Sequence, residues 1–280
     1  MTINTFTKIR KKLDKNNDGL VSLDEYLAEE ESKGPHEEEG NIGYHYQHYD
    51  NIVHYFKIVM RRFTKYNILC VPNFTVKYGS YIDKTAMIID INNNQIIYGA
   101  KMKKAINECR KSKTARFIFF TLVLKLQNMS LTHANMVVID LVQETLERFE
   151  PHGATFNFGS NSKKENNIVN NIISNQVLSE LGLKKFNYIS PQQISPFIGV
   201  QQTADAYCGM CVTISMMYLH LRILNPDIKQ QKLIKFLLKR SKDKLKIMIL
   251  KYAKHVEETL KDNENYVLKL FEEVLEELNY

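Results

Sequence analysis

Apolar positions along the chain recur with two periods. Ile3, Phe6, Ile9 and Leu13 are spaced for one face of a helix, an acidic loop follows, and a second short helix is predicted at 23–31. The stretch 31–43, ESKGPHEEEGNIG, has Gly, Pro and clustered charge but no period, which predicts a linker at 34–43. An amphipathic helix is expected over 50–65, then short β-type segments at 74–76, 87–91 and 95–98. The apolar run 116–126 is strongly β-type, and 133–139 with 145–149 reads as a hairpin of two further strands. A polar loop is predicted at 157–167, a helix at 168–181 and one more strand at 186–189. Residues 208–224 are apolar nearly all round, as a fully buried helix is, and Asn225 and Pro226 end it.

Strands and helices therefore segregate, which predicts an α+β fold. The division expected is a helix-loop-helix at 1–33, the linker, a main domain at 44–226 and a C-terminal helical appendage at 227–280, lysine-rich and then glutamate-rich. No repeat of 20 to 50 residues is present. A chain of 280 residues buries a core without staples, and its 25% charged and 44% hydrophobic residues are ordinary globular values.

The net charge is +7, but the lysines are dispersed and no nucleic-acid module is legible. Nucleic acid is expected only as a non-specific polyanion contact. No uncharged apolar run reaches the roughly 18 residues of a membrane span, so a soluble protein with no membrane partner is expected. Cys70, Cys109, Cys208 and Cys211 show no framework spacing, and residues 1–20 lack the apolar core of a signal peptide. Those two features predict a reducing, intracellular, cytoplasmic setting.

Residues 14–25, DKNNDGLVSLDE, match the twelve-position calcium loop of an EF-hand at each diagnostic place. The side chains of Asp14, Asn16, Asp18, Ser22 and Glu25 and the carbonyl of Leu20 would converge on one Ca²⁺. Gly19 permits the sharp turn, and Val21 supplies the apolar residue that pairs with a second loop. No second hand is present in the sequence. Calcium is expected to be structural or regulatory, since the chemistry described next does not need it.

The segment 201–211, QQTADAYCGMC, sets a cysteine followed by Gly at the start of a buried helix, where helix-dipole amides favour thiolate. Taken with HANMVVID at 133–140 and RFEPHG at 148–153, it resembles the clan of SUMO-specific and adenovirus-type cysteine proteases. The order is His, acid, Gln, Cys, with 17 residues from His133 to Glu150 and six from Gln202 to Cys208. The resemblance covers roughly residues 115–225. It implies a papain-like mechanism on a central mixed sheet flanked by helices. In it Cys208 is the nucleophile, His133 the base, Glu150 the residue that orients the imidazole, and Gln202 an oxyanion donor.

Glu in the acid position and Ala134 after the histidine are closer to the viral enzymes than to SUMO proteases. They favour an endopeptidase that processes a polyprotein, as in virion maturation. Other readings are a ubiquitin-like-protein deconjugase, an effector-type acetyltransferase with the same triad, and a catalytically dead calcium-binding adaptor. Asp140 is a rival acid, but seven residues along a straight strand place it about 23 Å from His133. His152, after Pro151, reads as a peripheral turn residue and Cys211 as core. CGMC also spells a redox motif, though its position after residue 200 fits poorly, and a zinc site lacks a second ligand pair.

Overall fold

The computed structural model describes residues 12–31, 49–62, 68–78, 81–125, 132–155, 162–204 and 210–277. The predicted helical positions Ile3, Phe6 and Ile9, the linker and Cys208 lie outside them. The strands are β1 (Leu69–Cys70), β2 (Thr75–Tyr78), β3 (Tyr81–Lys84), β4 (Ala86–Asp90), β5 (Gln95–Tyr98), β6 (Phe117–Lys125), β7 (Thr132–Asp140), β8 (Thr145–Phe149) and β9 (Asn187–Ile189). The helices are α1 (Leu23–Glu31), α2 (Tyr49–Arg62), α3 (Met102–Lys111), α4 (Ser162–Ile172), α5 (Pro191–Ile194), α6 (Val200–Thr203), α7 (Met210–Leu224), α8 (Gln230–Leu238), α9 (Lys242–Lys261) and α10 (Glu264–Glu277).

Seven strands form one mixed sheet in the order β5-β4-β6-β7-β8-β9, with β1 beside the start of β6. β6–β7 and β7–β8 are antiparallel, whereas β4 and β1 run parallel to β6 and β9 parallel to β8. The run FIFF at the head of β6 is apolar at successive positions because both faces are covered. Phe117 and Phe119 join the core formed with α2, α7, α8 and α9. Ile118, Phe120, Leu122 and Leu124 join the core formed with α3 and α4. The molecule is thus helix, sheet, helix, with α7 running through one layer and buried from Met210 to Ile223.

The observed architecture is α+β, a mixed sheet between helices. Several details depart from expectation. The predicted loop at 157–167 becomes helical at Ser162, and α4 continues through a π turn at Ile173–Val177 into a last α turn at Leu178–Glu180. α3, β1 and β3 appear where no element was predicted. Cys70 and Cys109 form a disulfide between β1 and α3, their Cα atoms 5.6 Å apart, which departs from the expected set of free thiols. Spacing carries no information on which cysteines a fold brings within bridging distance. Leu233, Ile234 and Leu237 of α8 and Leu245, Ile249, Tyr252 and Val256 of α9 lie in the same core as α7. No described helix is long and apolar enough to cross a membrane.

Candidate active site

The β7–β8 register builds the first half of the site. Met136 pairs with Phe149; carried one step past the strand end it sets Asn135 opposite Glu150, and three steps past it sets His133 opposite His152. His133 and Glu150 then stand diagonally, within reach of long side chains. His133 Nε2 lies 2.6 Å from Glu150 Oε1, with both side chains buried. Asn135 Nδ2 donates to Glu150 Oε2 at 2.8 Å, and the His152 backbone N–H donates to Glu150 Oε1 at 2.9 Å. Arg148 holds Asn135 Oδ1 and reaches Asn166 and Asn170 on α4. The His152 ring meets His133 edge-on, centroids 4.8 Å apart.

The second half comes from the N-terminal end of α7. The thiol that acts on His133 among the described residues is Cys211, which is buried in the core as expected. Burial raises this thiol's pKa, but the hydrogen bond and charge of His133, with a backbone bond at Ala134, bring it below the usual thiol value. Burial opposes charge on His133 as well, yet Glu150 and the Cys211 thiol outweigh it and push the imidazole up to about 10. Burial raises Glu150, and His133 lowers it further, below the ordinary carboxylate value. His152 goes the other way, down to about 4, through burial and the nearby His133 charge. The arrangement is a buried imidazolium between a carboxylate and a thiol, as an activated sulfur nucleophile requires.

The segments on either side are tied together through backbone. Gly199 donates to the His152 carbonyl at 2.8 Å, Ala154 to Pro196 at 2.7 Å and Gln201 to Pro151 at 2.9 Å. Gly153 has φ +116°, and a Cβ on Gly199 would lie 2.2 Å from the Gly153 nitrogen. The turn after Glu150 and the start of α6 are therefore packed with no room for a side chain. α6 carries Gln202, which is half-buried, directly before the stretch that holds Cys208. Asp140 is at the far end of β7, bound by Arg116 at 3.2 Å and near Arg222 at 3.7 Å. It is not part of the cluster. Sequence reasoning missed Asn135, Arg148, the influence of Cys211 on His133 and the central place of His152; the period of two on β7 was the signal available for Asn135.

The loop at 14–25 is described throughout. Gly19 has φ +77°. Its amide donates to Asp14 Oδ2 at 3.0 Å, Asp18 to Asn16 Oδ1 at 2.9 Å, and Leu20 to Asp18 Oδ1 at 2.8 Å. Glu25 folds back over the loop, its Oε1 accepting from the Lys15 and Asn16 amides and its Oε2 from Ser22. Among the described residues no group of three or more His, Cys, Asp or Glu is drawn together as metal ligands. One carboxylate oxygen, Asp14 Oδ1, is nevertheless buried without a hydrogen-bond partner.

No protein-family model and no curated protein matches the chain. Among solved structures it is similar to the C-terminal Ulp1 protease domain in complex with Smt3, the yeast orthologue of SUMO. That similarity has a TM-score of 0.37 and 13% identity over 75% of this chain and 76% of that one. It is also similar to the SUMO protease Ulp1 with its catalytic cysteine oxidised to a sulfinic acid. There the TM-score is 0.34 and the identity 12%, over 93% of this chain and 97% of that one.

Proposed function

We propose that the chain is a cysteine peptidase acting on a protein substrate, with His133 and Glu150 as base and orienting acid. The single observation that supports this best is the buried 2.6 Å His133–Glu150 contact, with the Cys211 thiol near enough to shift the same imidazole. In the proposed cycle the nucleophile's proton already rests on His133 as a thiolate–imidazolium pair, and the sulfur attacks the scissile carbonyl carbon. The carbonyl π electrons move to oxygen, then return as the C–N bond breaks, and His133 protonates the leaving amine. Water hydrolyses the thioester by the same steps. Gln202 and the backbone amide of the nucleophile are assigned to the oxyanion, where one such donor is typically worth about 2.7–4 kcal/mol.

Cys208 is assigned as the nucleophile on the Gln202–Cys208 spacing. A second reading, with Cys211 as the attacking thiol, is favoured by its electrostatic coupling to His133. Its 6% exposure argues against it, since the sulfur must reach a substrate carbonyl. The substrate is proposed to be a polyprotein or a ubiquitin-like conjugate. The test is alkylation by iodoacetamide near pH 6, then reaction with SUMO and ubiquitin vinyl sulfones and with candidate polyproteins. Loss of all reactivity in Cys208→Ala with its retention in Cys211→Ala supports the first reading, and the reverse supports the second. If neither substitution, nor His133→Ala, changes alkylation or cleavage, the peptidase proposal fails.

A further inference from the structure

The calcium loop is attached to α7 through one side chain. Asn225, fully buried just past the end of α7, accepts from the Val21 amide through Oδ1 at 2.8 Å and donates to the Val21 carbonyl through Nδ2 at 2.8 Å. Nδ2 also donates to the Leu221 carbonyl at 3.1 Å, inside α7. A side-chain amide offering one donor and one acceptor to one residue's backbone does what a neighbouring strand does. Val21 is the loop position that pairs with a second EF-hand, so Asn225 supplies that pairing within the chain.

The peptide unit that Asn225 grips has a second significance. The Val21 N–H belongs to the same planar trans amide as the Leu20 carbonyl, so the two point in opposite directions. Holding the N–H toward α7 turns the Leu20 oxygen away from it, into the loop, where the motif requires a carbonyl ligand. A hydrogen bond to that N–H also polarises the carbonyl. Asp14 Oδ1, on a residue 9% exposed, is buried and has no protein hydrogen-bond partner. Farther along, Tyr26 of α1 meets His220 of α7 with ring centroids 4.2 Å apart.

We propose that this loop binds one Ca²⁺ and that Asn225 positions the Leu20 carbonyl for it, so that ion occupancy and the seating of α7 stabilise each other. Asn225 touches no ion and is a positioning residue. Linkage makes the effect reciprocal: whatever fixes α7 raises the affinity for Ca²⁺, and Ca²⁺ fixes the helix whose other end carries Cys211. Outer partners that orient a ligand typically contribute roughly 10–100-fold in metal affinity.

The test uses the chelator-treated full chain and CaCl2 alone. Calorimetry is expected to show one site that Glu25→Gln abolishes and that Asn225→Ala weakens roughly tenfold. Hydrogen exchange on the wild type with Ca²⁺ against chelator is expected to slow two separate peptides, 14–25 and 221–228, while 162–172 on the opposite layer is unchanged. No binding up to about 1 mM, the top of the range for such loops, overturns the site. Binding that slows 14–25 alone, or that Asn225→Ala leaves at wild-type affinity, overturns the linkage. If Asn225→Ala fails to fold by circular dichroism, the wild-type exchange result decides. Neither readout uses turnover, so the outcome is separate from that of the peptidase reading.

Discussion

At the scale of single residues, the site is a set of charges that stabilise one another out of water. His133 keeps its proton because Glu150 is 2.6 Å away and cannot be solvated instead. Glu150→Gln keeps the shape and removes the charge. The imidazole should then fall from about 10 toward its ordinary value near 6.5, and thiol alkylation near pH 6 should slow at least tenfold. A titration of the His133 ring by NMR and the alkylation rate against pH check both; an unshifted ring would show that Glu150 does not set its charge. Asn135→Ala strips a donor from Glu150 and an acceptor from Arg148, and is expected to destabilise by about 1–3 kcal/mol in urea unfolding.

At the scale of elements, the geometry depends on two glycines where the turn after β8 meets the start of α6. Gly199→Ala would place a methyl 2.2 Å from the Gly153 nitrogen and 2.4 Å from the His152 carbonyl carbon, both backbone atoms. The contact can be relieved only by separating the segments. A loss of about 1–3 kcal/mol is expected, with slower alkylation of the reactive thiol because α6 and the helix after it shift from His133. Wild-type reactivity in a folded Gly199→Ala variant would show that this seam does not position the site. α7 is the other determining element, since its Cys211 end lies near His133 and Asn225, just past its far end, holds the 14–25 loop.

At the scale of the whole molecule, stability should depend on pH in opposite directions on either side of about pH 6.5. His220 is held down to about 3 by burial and by His255, and His152 to about 4. The unfolded chain binds their protons more readily, so stability falls as pH drops from about 6.5 toward those values. His133 has the opposite sign. Its folded value of about 10 lies above the unfolded one, so its contribution is full below about pH 6.5 and is lost as pH rises through 10, a loss that the lowered Cys211 thiol offsets in part. Urea midpoints across that range should therefore fall on both sides, and Glu150→Gln should flatten the alkaline limb; a level profile contradicts the assignment. The C-terminal helices are part of the same balance. Because Leu233, Leu237, Ile249 and Tyr252 are at most 1% exposed, truncation after residue 226 uncovers the core around α7, and the shortened chain is expected to lose its cooperative melt by circular dichroism.

What the sequence determined by itself is local. The continuous apolar runs of β6 and of residues 136–139 in β7, and the unbroken hydrophobicity of α7, each specify burial from neighbours a few residues apart. The same holds for the twelve-residue loop. α3 was legible in principle, since Met102, Ala105, Ile106 and Cys109 keep helical spacing, but a lysine-rich surface face hid it. The His133–Glu150 diagonal was nearly readable, because a tight β7–β8 hairpin fixes its own register. Tertiary structure alone decided the remainder: the Cys70–Cys109 bridge, Cys211 at His133, His152 over the imidazole, and Asn225 on Val21, 204 residues away. These are contacts between segments whose separation along the chain says nothing about their separation in space; layer packing and strand register choose them, and no local period encodes either.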